Sequence, residues 1–162
     1  MLADEGDNSQ ALDYYRKSLQ VYENGSAKAP DDLTLRLCVA ICRAGIGKLQ
    51  ARLRQSVPAI DNCQKAITIL AGINEEPSNA NDRGLKAQAY HYIGEAYAAM
   101  AASKGVTAPE LTKHWAGARD VLQRSLEIYK DMCSRGILSA SDARQFDGVA
   151  GEIAKCDAAL RK

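Results

Sequence analysis

The sequence predicts an all-α fold of about six helices, on three observations. All four prolines, Pro30, Pro58, Pro77 and Pro109, fall in expected loops or first turns of helices, so no helix interior is broken. Clusters of β-branched residues are scarce, which removes the usual strand signal. Apolar residues recur at helical spacing, most plainly Tyr90, Ile93 and Tyr97 around Gly94. A glycine inside a helix costs about 1 kcal/mol relative to alanine. Gly94 therefore predicts a neighbouring helix packed too closely for a β-carbon.

The first helix is expected from Asn8 or Ser9 to Glu23, with Ala11, Leu12, Tyr15, Leu19 and Tyr22 inward and Asn24-Gly25 as its stop. Pro30-Asp31-Asp32 should open a second helix reaching Gln55, its acidic pair suiting the first turn. Ser56 is the expected cap of a third helix, which carries Ala59, Ile60, Cys63, Ala66, Ile67 and Leu70 and stops near Gly72. A polar loop over Asn74–Asn81 precedes a fourth helix from Asp82 to Ser103, ending at Gly105. Thr107-Ala-Pro-Glu110 reads as a capping box opening a fifth helix that ends near Ser134 and Gly136. The last helix, Ser141 to Leu160, should bury Phe146, Val149, Ile153, Cys156 and Leu160.

Composition excludes several classes. The 162 residues are 46% hydrophobic and 25% charged, which fits one compact domain or a short repeat array rather than a disordered chain. With 21 basic and 20 acidic residues the net charge is +1, which leaves no footprint for nucleic acid or an anionic membrane. No apolar run is long enough to span a bilayer, and the acidic start is not a signal peptide. Five irregularly spaced cysteines, Cys38, Cys42, Cys63, Cys133 and Cys156, read as reduced thiols of a cytoplasmic protein.

Three ungapped segments share one pattern: Ala11–Tyr22, Ala59–Leu70 and Ala118–Tyr129. Each opens Ala-x-Asp, continues through Arg or Gln, Lys or Arg and a small residue, and ends on Val or Ile followed by Tyr or Leu. Small residues lie seven apart, with Tyr15, Cys63 and Leu122 between them as knobs that should enter a neighbouring helix.

Together with Tyr90-x-x-Ile-Gly-x-x-Tyr97, this resembles a tetratricopeptide repeat protein. That family's first helix carries Trp-x-x-Leu-Gly-x-x-Tyr, and Arg43-x-x-Ile-Gly-x-x-Gln50 keeps only Ile46 and Gly47 of it. The family's second-helix trio of Ala, aromatic and Ala corresponds to Ala11/Tyr15/Ser18, Ala59/Cys63/Ala66 and Ala118/Leu122/Ser125. The resemblance covers roughly residues 7 to 131. It implies antiparallel helical hairpins stacked as a short right-handed superhelix, a single domain over 1–162. Residues 1–24 would be a half repeat, 31–72 a repeat, 82–134 a repeat with an insertion and 139–162 a C-terminal capping helix. Repeats of this family recur about every 34 residues, whereas Ala11 to Ala59 spans 48 and Ala59 to Ala118 spans 59. Extra length is expected at the start of the second helix and around Ala101 to Trp115. Met1–Gly6 resembles the end of a repeat's first helix and its turn, so a piece of a longer protein is expected. The tail Ala150–Leu160 is similar to the C-terminal end of some bacterial serine/threonine kinases that carry such repeats.

Catalytic and metal chemistry is not expected. Cys38-x-x-x-Cys42 supplies half a metal site, a closed zinc site needs four ligands, and no second Cys/His pair has suitable spacing. His91 and His114 belong to no nucleophile motif, and Gly45-Ile-Gly47 lies within a helix rather than after a strand. Trp115 sits at helical spacing from Leu111 and Ala118 and reads as a packing residue. No cofactor is expected.

The resemblance implies a non-catalytic scaffold that binds a peptide or partner helix in a concave groove. If Tyr90, Ile93, Gly94 and Tyr97 face inward, Gln88, His91, Glu95 and Ala98 lie on the exposed edge of their helix. Ile41, Ala44, Lys48 and Arg52 do the same on the preceding groove helix. Small Ala44 and Ala98 would leave room, and Lys48, Arg52 and Glu95 would meet partner charges. A Lys/Asn carboxylate clamp used by some family members is missing, because its places hold Ala44/Lys48 and His91/Glu95. The alternative implied by the kinase-like tail is a regulatory or dimerising region of a multidomain bacterial signalling enzyme, with a homodimer left open.

Overall fold

The computed structural model describes residues 2–73 and 77–161, and of residues 2–6 the backbone alone. The described residues form six helices: α1 (Leu2–Lys28), α2 (Leu33–Arg52), α3 (Ser56–Ala71), α4 (Ala80–Ala101), α5 (Ala108–Ser134) and α6 (Ala140–Leu160). Short links turn α2 back on α3 and α4 back on α5 as antiparallel hairpins, and α4 also packs on α2. Thr34 at the start of α2 donates a 2.9 Å hydrogen bond to Asp82 at the start of α4. Lys48 further along α2 reaches Glu95 further along α4, so these two helices run side by side in the same direction. The first helix rests on α2, while α6 rests on α5 and the edge of α4.

Helix starts follow their polar residues. Asp32 caps α2 by accepting the Leu35 N–H at 2.9 Å, Asn79 caps α4 through Asp82 N–H at 2.8 Å, and Ser139 caps α6 through Asp142 N–H at 3.1 Å. At α5 the Thr107 N–H donates to the Glu110 carboxylate at 3.1 Å, with Pro109 inside the first turn. Gly105 and Gly136 take the left-handed turns after α4 and α5, with φ of 82° and 67°.

Several boundaries differ from the sequence reading. Helix α1 runs through Asn24-Gly25 to Lys28, and Gly25 still accepts the Ala29 N–H. A glycine weakens a helix without ending it, whereas Pro30 disfavours helical backbone in the residue before it. The turn expected within Met1–Gly6 is likewise absent from Leu2 onward, Met1 lying outside the described residues. Of the added length between the first two copies, part extends α1 past Glu23 to Lys28, and α2 itself starts at Leu33, well ahead of the Arg43–Gln50 pattern. Asp31 and Asp32 precede α2 rather than filling its first turn. Ser56 is already inside α3, whose cap position is Gln55. The left-handed backbone of Arg54, with φ of 61°, ends the preceding segment early. Of the loop expected over Asn74–Asn81, residues 74–76 lie outside the described residues, and Ala80 is already helical. Leu160 is exposed rather than buried, because α6 meets α5 through Val149 and Cys156.

Three apolar clusters fill the stack. One joins α1 to α2 through Leu12, Leu19, Cys42, Ile46 and Leu49. The largest lies among α2, α3 and α4 and includes Leu37, Ala40, Cys63, Leu70, Ile93 and Met100. The third holds Leu122, Tyr129, Met132, Val149 and Cys156 between α5 and α6. Each repeated knob faces a glycine. A β-carbon on Gly45 would stand 2.8 Å from Tyr15, one on Gly47 2.7 Å from Cys63 Sγ, and one on Gly94 2.5 Å from Leu122. Side chains at these points would hold the helices apart, which explains the mid-helix glycines.

Candidate partner-binding groove

The candidate groove is built on α2 and α4, whose parallel packing brings one turn of each together. Lys48 Nζ lies 3.0 Å from Glu95 Oε2, and the Arg52 guanidinium donates to Glu95 Oε1 at 2.8 Å. Lys48 also stands 3.8 Å above the Tyr92 ring, a cation over the negative face of an aromatic. The Tyr92 hydroxyl accepts from Gln88 Nε2 at 3.3 Å, and the Tyr15 hydroxyl of α1 approaches it at 3.5 Å. Burial first, and then the bond to Tyr92, push the Tyr15 phenol well above its ordinary range.

Two residues expected on exposed edges are not there. Ala44 is 0% exposed, because its small side chain lies in the α2–α4 contact. His91 is 5% exposed, since α6 covers it and brings Glu152 Oε2 to 3.1 Å from His91 Nε2. Ile41 is half-buried against the largest apolar cluster. Lys48, Arg52 and Glu95, expected to meet partner charges, instead satisfy one another. The structure thus unites Lys48, Arg52, Glu95 and, through Tyr92, Gln88, and leaves Ile41, Ala44 and His91 as packing residues.

Glu95 and Ala98 border a hollow of about 200 Å³ whose other walls are Trp115 of α5 and Glu152 and Lys155 of α6. Sequence reasoning placed Trp115 in the packing and passed over Tyr92, Glu152 and Lys155. Trp115 does pack against the α5–α6 cluster, but its edge also reaches this hollow. Glu152 lies three residues after Val149 and four before Cys156, on the flank of the apolar stripe of α6, and Lys155 follows it at i+3, so the available signal was a charged pair beside that stripe.

A larger hollow of about 410 Å³ lies between α4 and α5, lined by Arg83, Lys86, Arg124 and Arg135 with Asp131 and Glu127. Asp131 takes both Arg83 and Arg135, and Arg124 pairs with Asp120. Among the described residues no group of three or more His, Cys, Asp or Glu is placed to hold a metal. Burial pushes the Cys42 thiol up to about 11. No helix among the described residues is long and apolar enough to cross a membrane. No family model, curated protein or solved structure matches the chain.

Proposed function

We propose that this chain is a non-catalytic protein-interaction module of the tetratricopeptide-repeat kind, working in the cytoplasm. Its partner segment lies across α4 and α6 and seats an apolar side chain in the hollow beside Trp115. The single observation that carries this reading is that hollow: an aromatic edge and the small Ala98, ringed by Glu95, Glu152 and Lys155. Interaction sites combine an apolar anchor point with a polar rim in this way. The Lys48–Glu95–Arg52 cluster stiffens one wall, so little side-chain order must be acquired on binding. Five free cysteines suit a reducing compartment.

The test uses the only tryptophan as its reporter. Peptides selected against the folded protein should change Trp115 emission on titration. Ala98→Arg, which fills the hollow, should weaken them about tenfold or more, a loss of roughly 1.4 kcal/mol. Selected peptides that bind Ala98→Arg and wild type equally, with no change in emission, would place the interaction elsewhere.

A further inference from the structure

The charged groups around the Trp115 hollow are not equally satisfied. Both carboxylates at its rim have partners. Glu95 takes Lys48 on one oxygen and Arg52 on the other, and its side chain is 18% exposed. Glu152 meets His91 Nε2 at 3.1 Å. The cations are the more open groups. The Arg52 side chain is 44% exposed, and it gives Glu95 one nitrogen of a guanidinium that carries five N–H donors. Lys155 is exposed and makes no ion pair among the described residues. Lys48, Arg52 and Lys155 thus outnumber Glu95 and Glu152, and the surplus positive charge faces outward.

Arg52 comes from α2 and Lys155 from α6, on either side of α4, so the two cations bracket the hollow. Helices in contact lie about 8–10 Å apart, and an extended chain advances about 3.3 Å per residue. Roughly five or six extended residues therefore cross from one cation to the other. In such a segment the side chains two before and two after an anchor point the same way as the anchor. An apolar side chain entering beside Trp115 thus carries those two toward Arg52 and Lys155. We propose that the partner of this hollow is an extended acidic segment, whose apolar anchor has an aspartate or glutamate two residues to each side. Arg52 binds one carboxylate and Lys155 the other. A basic segment would meet the same cations with like charge, and would have to take Glu95 from Lys48 and Arg52. The acidic partner rests on the Trp115 hollow being the binding site, and its charge can be tested apart from it.

Three pools of synthetic peptides without tryptophan, capped at both ends, are titrated into the full chain with Trp115 emission as the readout. Each has leucine at its centre, with aspartate, serine or lysine two residues to either side and alanine or serine elsewhere. The aspartate pool should bind about tenfold more tightly than the serine pool, and added salt should remove that advantage. Lys155→Glu should weaken the aspartate pool about tenfold. Lys155 is exposed, so circular dichroism of that variant should be unchanged. An aspartate pool no tighter than the serine pool would overturn the acidic partner, and so would a preference that Lys155→Glu leaves in place. Ala98→Met, which fills the hollow without adding charge, separates this result from failure of the site. If it abolishes binding of a serine pool that matches the aspartate pool, the hollow stands and the acidic partner falls. If all pools bind Ala98→Met as tightly as wild type, or none binds wild type, the hollow itself falls.

Discussion

Gly94 of α4 lies so close to Leu122 of α5 that a β-carbon on it would meet both Cγ and Cδ2 of that leucine at 2.5 Å. Leu122 is fully buried and the contact falls at its branching carbon, so it cannot swing clear. Gly94→Ala gains about 1 kcal/mol of helix propensity and loses about 1–3 kcal/mol to overpacking. The net loss, up to about 2 kcal/mol, should appear as a melting temperature lower by up to about 8 °C for a chain of this size. The control is Gly151→Ala in α6, where a β-carbon meets nothing within 4 Å. That variant should melt higher, by a similar few degrees. Thermal scans showing both variants shifted alike would refute the packing account.

That glycine was legible in the sequence because its cost demanded a neighbour, and the repeated pattern supplied one. The six helices were legible too, since turn residues and apolar spacing act locally. Boundaries failed where two local signals competed, as when Asn24-Gly25 looked like a stop but Pro30 fixed the end. The candidate groove was less legible. Period and spacing say which face of α4 carries His91 and Glu95, but not that α6 folds over His91 or that Lys48 and Arg52 converge on one carboxylate. Those outcomes depend on the separation and angle of helices distant in sequence.

Glu95 holds two cations with its side chain only 18% exposed, and Lys48 beside it is 14% exposed. Exposed ion pairs contribute up to about 1 kcal/mol, whereas breaking a buried one costs about 3–5 kcal/mol. Glu95→Gln leaves Lys48 and Arg52 facing each other and should cost an intermediate amount, about 1–3 kcal/mol. Urea unfolding should show a lower midpoint with an unchanged slope. A midpoint equal to wild type would mean that solvent screens the cluster.

Burial beside Tyr97, whose ring stacks on His114 at 6.2 Å, lowers the pKa of His114 in the folded state. A histidine depressed on folding is neutral in both states above its unfolded pKa of about 6.5 and then contributes no pH dependence. Below that value the unfolded chain binds the proton first, so stability falls with pH until the lower folded pKa is passed. His114→Phe should flatten this part of the stability profile, measured by urea unfolding between neutral and mildly acidic pH. An unchanged slope in the variant would assign the acid sensitivity to other groups.

Thiol accessibility sorts the cysteines. Burial pushes Cys63 up to about 12 and Cys42 up to about 11, while Cys133 is exposed at the end of α5. Because the thiolate is the nucleophile, iodoacetamide at mildly alkaline pH should label Cys133 first and leave Cys42 and Cys63 unmodified while the fold persists. Peptide mapping by mass spectrometry reads this directly. Early labelling of Cys63 would mean that the Gly47–Cys63 contact opens readily.

The place of α4 in the stack bears on how the molecule breathes. It touches α2, α3, α5 and α6, whereas α1 rests on α2. An end helix can peel away and expose its amides while the middle stays assembled, but the amides of α4 are freed only when its neighbours part together. Deuterium should therefore enter α1 early and reach the turn around Gly94 last, at a rate set by global unfolding.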